Sequence, residues 1–128
     1  MSRDFVYHNS NPYKIEEQDC VTRAISRALD LPYDTAKELL EMSAKVNNCD
    51  TLCVCCYHHL LEDVFHLPVR YCENWERVGD IAKMYPNNKV IIRIQGHLTM
   101  SDIGGIIYDL WDCTKKLVDC YWIVPNKN

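Results

Sequence analysis

The sequence has no cluster of Lys or Arg, and its 14 cations are outnumbered by 18 carboxylates, for a formal net charge of −4. Nucleic acid and anionic membrane are therefore poor partners, because neutralising phosphate needs clustered cations. No apolar run approaches the roughly 18 residues of a membrane-spanning helix. The opening segment, residues 1–14, is polar and lacks the apolar core of an export signal. No internal repeat or low-complexity linker divides the chain. The expectation is one domain over residues 1–128 in the cytoplasm, with no nucleic-acid or membrane partner.

What is present is ordinary for a globular domain: 128 residues, 48% hydrophobic and 25% charged, enough to bury a core. Eight cysteines would suit a secreted disulfide scaffold. Without an export signal, and with Cys53, Cys55 and Cys56 crowded into one segment, they read as free thiols in a reducing compartment. A catalytic cysteine has to stay reduced.

Periodicity predicts helices first and strands afterwards. Residues 1–18 read as irregular, with a turn over Asn9–Pro12. From Asp19, a natural N-cap, Val21, Ala24, Ile25, Ala28 and Leu29 recur at helical spacing, and Cys20 takes the first helical position. Pro32 and Asp34 open a second helix with Ala36, Leu39, Leu40 and Ala44 on one face. A third helix is expected from about Asp50 to His66, capped by Asp50 or Thr51. A shorter one should cover Trp75 to Met84, weakened by Gly79. Then the period changes. Lys89–Ile94 is β-branched, His97–Ser101 and Ile106–Trp111 flank Gly104-Gly105 as a hairpin, and Leu117–Val124 ends the series. That order gives an α+β fold with an antiparallel sheet.

Sulfur attacks as the thiolate, and the positive end of a helix dipole favours that form, so Cys20 is placed for reactivity. A histidine would complete its activation. Of five, His97 stands apart at the start of a strand, just after Gly96, with Asp109 on the next strand. A three-residue loop of Ile103, Gly104 and Gly105 would set Thr99 opposite Asp109, with His97 one diagonal step away on the same face. A two-residue Gly-Gly loop would bring Asp112 opposite His97 instead. Either carboxylate could hold the imidazole tautomer. Asp109 is preferred.

The segments Asp19–Ile25 (DCVTRAI), Gly96–Thr99 (GHLT) and Tyr108–Cys113 (YDLWDC) resemble a family of small bacterial and phage proteins of papain-like or C39-like cysteine-peptidase type. The likeness covers roughly residues 12–30 and 90–122; the middle of the chain has no counterpart. It implies a papain-like fold, with Cys20 as nucleophile, His97 as base and Asp109 as orienting acid. Papain-like enzymes place an oxyanion-binding glutamine about six residues before the cysteine, where this chain has Lys14. Asn11 and Gln18 are the nearby amides. The small proteins of the family carry an asparagine where Asn11 stands, so Asn11 is preferred.

Plainer readings apply elsewhere. Cys49, Cys53, Cys56 and His59 recur at four, three and three, which tempts a zinc assignment. Structural zinc sites draw paired ligands from two chain segments, so core packing is the better reading and no metal or cofactor is expected. Thr22 and Arg23 would cap and solvate their helix, and Trp75, Trp111 and Trp122 would serve as core or groove wall. The expected activity is a thiol protease or related hydrolase acting on a peptide or isopeptide bond of a protein or peptide substrate. Acyl transfer in the manner of a transglutaminase, or a non-enzymatic interaction role, are the alternatives.

Overall fold

In a computed structural model, residues 5–9, 11–12, 19–50 and 53–126 are described. They form strand β1 (Phe5–Tyr7), helices α1 (Cys20–Ala28), α2 (Tyr33–Asn47) and α3 (Val54–His58), and a π-helical turn over His59–Val64. Strand β2 (Val69–Tyr71), helix α4 (Val78–Met84) and strands β3 (Lys89–Ile94), β4 (His97–Asp102), β5 (Ile106–Asp109) and β6 (Val118–Val124) follow. The six strands make one sheet in the order β1-β5-β4-β3-β6-β2. No helix among the described residues is long and apolar enough to cross a membrane.

The α+β expectation holds, but the sheet is mixed rather than antiparallel. β1 pairs in parallel with β5, setting Tyr7 beside Asp109. Both three-residue strands, β1 and β2, are too short to leave a period-2 signature. The segment read as irregular thus contributes an edge strand. Its turn is real: the Asn11 N–H donates to Asn9 Oδ1 at 3.0 Å.

β3 explains the stability of the sheet. Ile91 joins the core beneath α1, α2 and α3 with Leu98, Met100 and Trp122, while Val90, Ile92 and Ile94 join the core beneath α4. All four of these β3 side chains are at most 3% exposed. A strand buried on both faces reads as a continuous β-branched run, which is how Lys89–Ile94 was recognisable.

Helix boundaries differ where tertiary contacts override local signals. α1 starts at Cys20, and the Asp19 carbonyl accepts its first backbone bond, from Arg23 at 2.9 Å. The Asp19 side chain does not cap it, because the carboxylate is used elsewhere. Nor is α1 one-sided: Thr22, Arg23 and Ser26 are buried along with the apolar face. The third helix starts at Val54 with Cys53, not Asp50, at the N-cap, and widens to a π-turn after His58. Thr51 lies outside the described residues. α4 starts three residues later than expected, because Trp75 adopts a left-handed φ of 63° and is 79% exposed. Trp75 is thus neither core nor groove wall. Gly79 is not simply a weak point: its N–H donates to the Thr114 carbonyl at 2.9 Å, tying the start of α4 to the segment before β6.

Candidate active site

Two turns set the site. β3 passes into β4 through Gln95 and Gly96, with Ile94 paired to His97 and Gly96 at a φ of 71° that suits only glycine well. β4 passes into β5 with Asp102 paired to Ile106, which leaves the three-residue loop Ile103, Gly104 and Gly105. This register carries Asp109 to the same end of the sheet as His97. β1 holds that end in place, the His8 N–H donating to the Asp109 carbonyl at 2.9 Å.

His97 Nε2 donates to Asp109 Oδ2 at 2.7 Å, and Cys20 lies beside His97 in the wall of the same cleft, close enough for each to shift the other's ionisation. With Nε2 committed to the carboxylate, Nδ1 is the nitrogen left to exchange a proton with sulfur. The Trp111 ring lies against the imidazole, centroids 5.0 Å apart. The site therefore unites Cys20, His97 and Asp109. Asp112 is turned away: its Oδ1 accepts from the Thr114 N–H at 3.0 Å and the Thr114 hydroxyl at 2.6 Å, closing a local turn.

The electrostatics follow from these bonds. Burial opposes the Cys20 thiolate, but bonds from His97 and the Leu98 backbone, with the charges of His97 and Arg23, hold the thiol below its ordinary value. Burial likewise opposes the imidazolium, yet bonds with Asp109, Cys113 and Cys20 push His97 up to about 11. Asp109 is also buried against its charge, and the His97 bond still keeps it below the usual carboxylate range. Its Oδ1 accepts the Leu110 N–H at 2.7 Å and Arg23 Nη1 at 3.2 Å. These bonds thus favour the charged form of each of the three groups, thiolate, imidazolium and carboxylate.

Arg23 is the residue that sequence reasoning undervalued. It does not solvate the helix. Its Nε donates to Asp19 Oδ1 at 2.7 Å while its Nη1 reaches Asp109, so one guanidinium ties the start of α1 to the end of β5. Asp19 Oδ2 is satisfied in turn by the Tyr33 hydroxyl at 2.8 Å and by Asn11 Nδ2 at 3.0 Å. The i, i+4 spacing of Asp19 and Arg23 was the available signal. Cys113 was also passed over; it is buried with Sγ 3.9 Å from Asp109 Oδ2.

The oxyanion expectation fares differently. Asn11 is buried, its amide faces Asp19, and it is not among the residues lining the cleft beside Cys20. It braces the scaffold instead of facing a substrate. Gln18 lies outside the described residues. The backbone N–H of Cys20, first in its helix, has no intrahelical acceptor and is the donor that the fold offers beside the sulfur. The cleft itself has a volume of about 640 Å³, and Cys20, His97, Tyr57, Arg93 and Trp111 are among its walls.

Among the described residues, two trios have donor atoms close enough to share a metal ion: His97, Asp109 and Cys113 in this site, and Cys49, Cys53 and Cys55 at the start of α3. No family model, curated protein or solved structure matches the chain.

Proposed function

We propose that the chain is a cysteine-dependent hydrolase cleaving a peptide or isopeptide bond through a thioester, on a papain-like arrangement of helix against sheet. The observation that carries this is the gathering of three residues, with Asp109 bonded to His97 and Cys20 beside that imidazole, at a helix N-terminus and open to a cleft. Structural histidines and buried thiols occur separately in many proteins. Their union with an ionised carboxylate, where a substrate can reach the sulfur, is what nucleophilic catalysis needs. The packing of α1 on β4, with Cys20 at its exposed end, supports the fold assignment.

In this reading the Cys20 thiolate attacks the carbonyl carbon, and the oxyanion is met by the Cys20 backbone N–H. The His97 imidazolium gives its proton to the leaving nitrogen, which departs as an amine and leaves an acyl thioester on Cys20. Neutral His97 then takes a proton from water, hydroxide attacks the thioester, and the carboxylic product leaves as the thiolate is restored. Asp109 stays ionised throughout and keeps Nε2 protonated, so that Nδ1 does the exchange. Eight free thiols fit a reducing compartment such as the cytoplasm.

The test is low-dose iodoacetamide labelling with mass-spectrometric mapping over a pH series. Cys20 should react first, and well below the roughly pH 8.5 of a free thiol. Equal rates at all eight cysteines would remove the nucleophile. With a trapped acyl-enzyme, release as an amide by an added donor amine in preference to water would move the reading to acyl transfer.

A further inference from the structure

Away from the cleft, the described residues include a thiol cluster at the start of α3. Cys49 follows the left-handed Asn48 that ends α2, and its N–H is held by the Ala44 carbonyl at 2.9 Å. Cys53 stands at the N-cap of α3, its N–H bonded to the Asp50 carbonyl at 2.9 Å, and Cys55 lies on the first turn. Two backbone turns thus bring three thiols together, with Cys49 and Cys53 half-buried and Cys55 exposed. Their Sγ atoms all lie within 4.8 Å of one another, and Cys53 and Cys55 are 3.0 Å apart.

Those separations are informative. A metal–sulfur bond of about 2.3 Å puts sulfurs about 3.8 Å apart in a tetrahedral site and about 4.0 Å apart in a trigonal plane. Cys53 and Cys55 are closer than either value and no pair is more than 4.8 Å apart, so small side-chain rotations would centre an ion. Thiols are weak mutual hydrogen-bond partners, so the crowding gains little for the fold by itself. The zinc set suggested by helical spacing is not the set that converges. Cys56 is buried with its thiol donating to the Leu40 carbonyl at 3.1 Å, and His59 Nδ1 is engaged with the Ser43 hydroxyl at 2.9 Å.

The geometry points to a three-thiolate site of Cys49, Cys53 and Cys55 for a thiophilic d10 cation of the Zn²⁺ type, with its remaining coordination position open to solvent. This site does not depend on the hydrolase reading. Binding replaces three S–H bonds by three metal–sulfur bonds and releases those three protons to solvent, with no change of oxidation state. The ion would clip the end of α2 to the start of α3, the helix that brings Val54 and Tyr57 to the cleft wall.

The probe is Cd²⁺, titrated into reduced, chelator-stripped protein in weak buffer. One equivalent should bind with sulfur-to-metal charge-transfer absorption in the ultraviolet and release of up to three protons, and Zn²⁺ should displace it. Cys53→Ser and Cys55→Ser should each weaken binding on the order of a hundredfold or more, since even outer-shell losses cost 10–100-fold. Cys72→Ser and Cys56→Ser should leave it within a few-fold, and circular dichroism reports whether each variant is folded. Absence of saturable binding would overturn the proposal. So would binding that survives Cys53→Ser and Cys55→Ser but fails in Cys113→Ser, which would move the ion to the trio of His97, Asp109 and Cys113.

Discussion

The lowered Cys20 thiol and the raised His97 imidazole have a consequence for stability that needs no substrate. In the unfolded chain a thiol keeps its proton up to its ordinary value of 9.0, and an imidazole loses its own above 6.5. His97, raised to about 11 when folded, adds stability that is complete below pH 6.5 and is lost as pH rises towards 11. Cys20, lowered when folded, adds stability that is complete above pH 9.0 and is lost as pH falls through its folded value. Between the lowered Cys20 value and 9.0, unfolded and folded states each hold one proton on the pair, on sulfur in one and on imidazole in the other. The two slopes cancel, and the pair contributes no pH dependence there. Cys20→Ser removes one side. Asp109 and Cys113 still hold the His97 proton, so folding then takes up a proton and stability should fall by about 1.4 kcal/mol per pH unit. Urea unfolding of both proteins over a pH series up to about 9, followed by tryptophan fluorescence, isolates the difference, because every other titrating group is common to both. Between the lowered Cys20 value and 9.0, the serine variant should lose about 1.4 kcal/mol per pH unit relative to its parent. Parallel behaviour of the two proteins would mean that Cys20 is an ordinary thiol, and the ion-pair description would fail.

Arg23→Leu leaves the buried Asp19 and Asp109 carboxylates without their shared cation and should cost about 3–5 kcal/mol at neutral pH, measured by urea unfolding; a loss below about 1 kcal/mol would show that the bridge is not structural. Asp109→Asn should slow Cys20 alkylation at about pH 6, because the imidazolium loses its main support, while Asp112→Asn should match the parent protein; the reverse order would reassign the carboxylate. Ile91→Ala, in the centre of β3 and fully buried, should cost about 2–5 kcal/mol. Ile103→Ala, on the exposed β4–β5 loop, should stay within about 0.5 kcal/mol by the same measurement.

How much of this was legible depended on the distance over which each feature is decided. The β3 run, the register of the β4–β5 hairpin and the start of α1 are set by residues within a few positions of one another, and their patterns survive in the chain. The helical period over Val21–Ala28 placed Cys20 at a helix start, the hairpin offered Asp109 or Asp112 to His97 according to loop length, and the family resemblance joined the two ends of the chain. β1 and β2 exist only because longer strands offer them an edge, so Phe5–Tyr7 and Val69–Tyr71 carry no pattern of their own. The cysteine segment misled for a related reason. Helical spacing grouped Cys49, Cys56 and His59 with Cys53, but Cys49 precedes the helix across a turn, and the sulfur that converges is that of Cys55.

Asp19 marks the boundary between local and tertiary control most clearly. Its position before an apolar helical face made it an N-cap by every local rule, and its backbone does begin the helix. Capping by the side chain contributes about 1 kcal/mol and would break the shorter of the two buried ion pairs of Arg23. Breaking a buried ion pair costs several times more, so the carboxylate turns to the guanidinium, and the cap is given up. The same choice sets the chemistry. Arg23, anchored at the base of α1 by Asp19, presents its other arm to Asp109, which stays ionised and holds the proton of His97 on Nε2. The residue that local rules mark as a helix start thus also orients, through two salt bridges, the carboxylate bonded to His97.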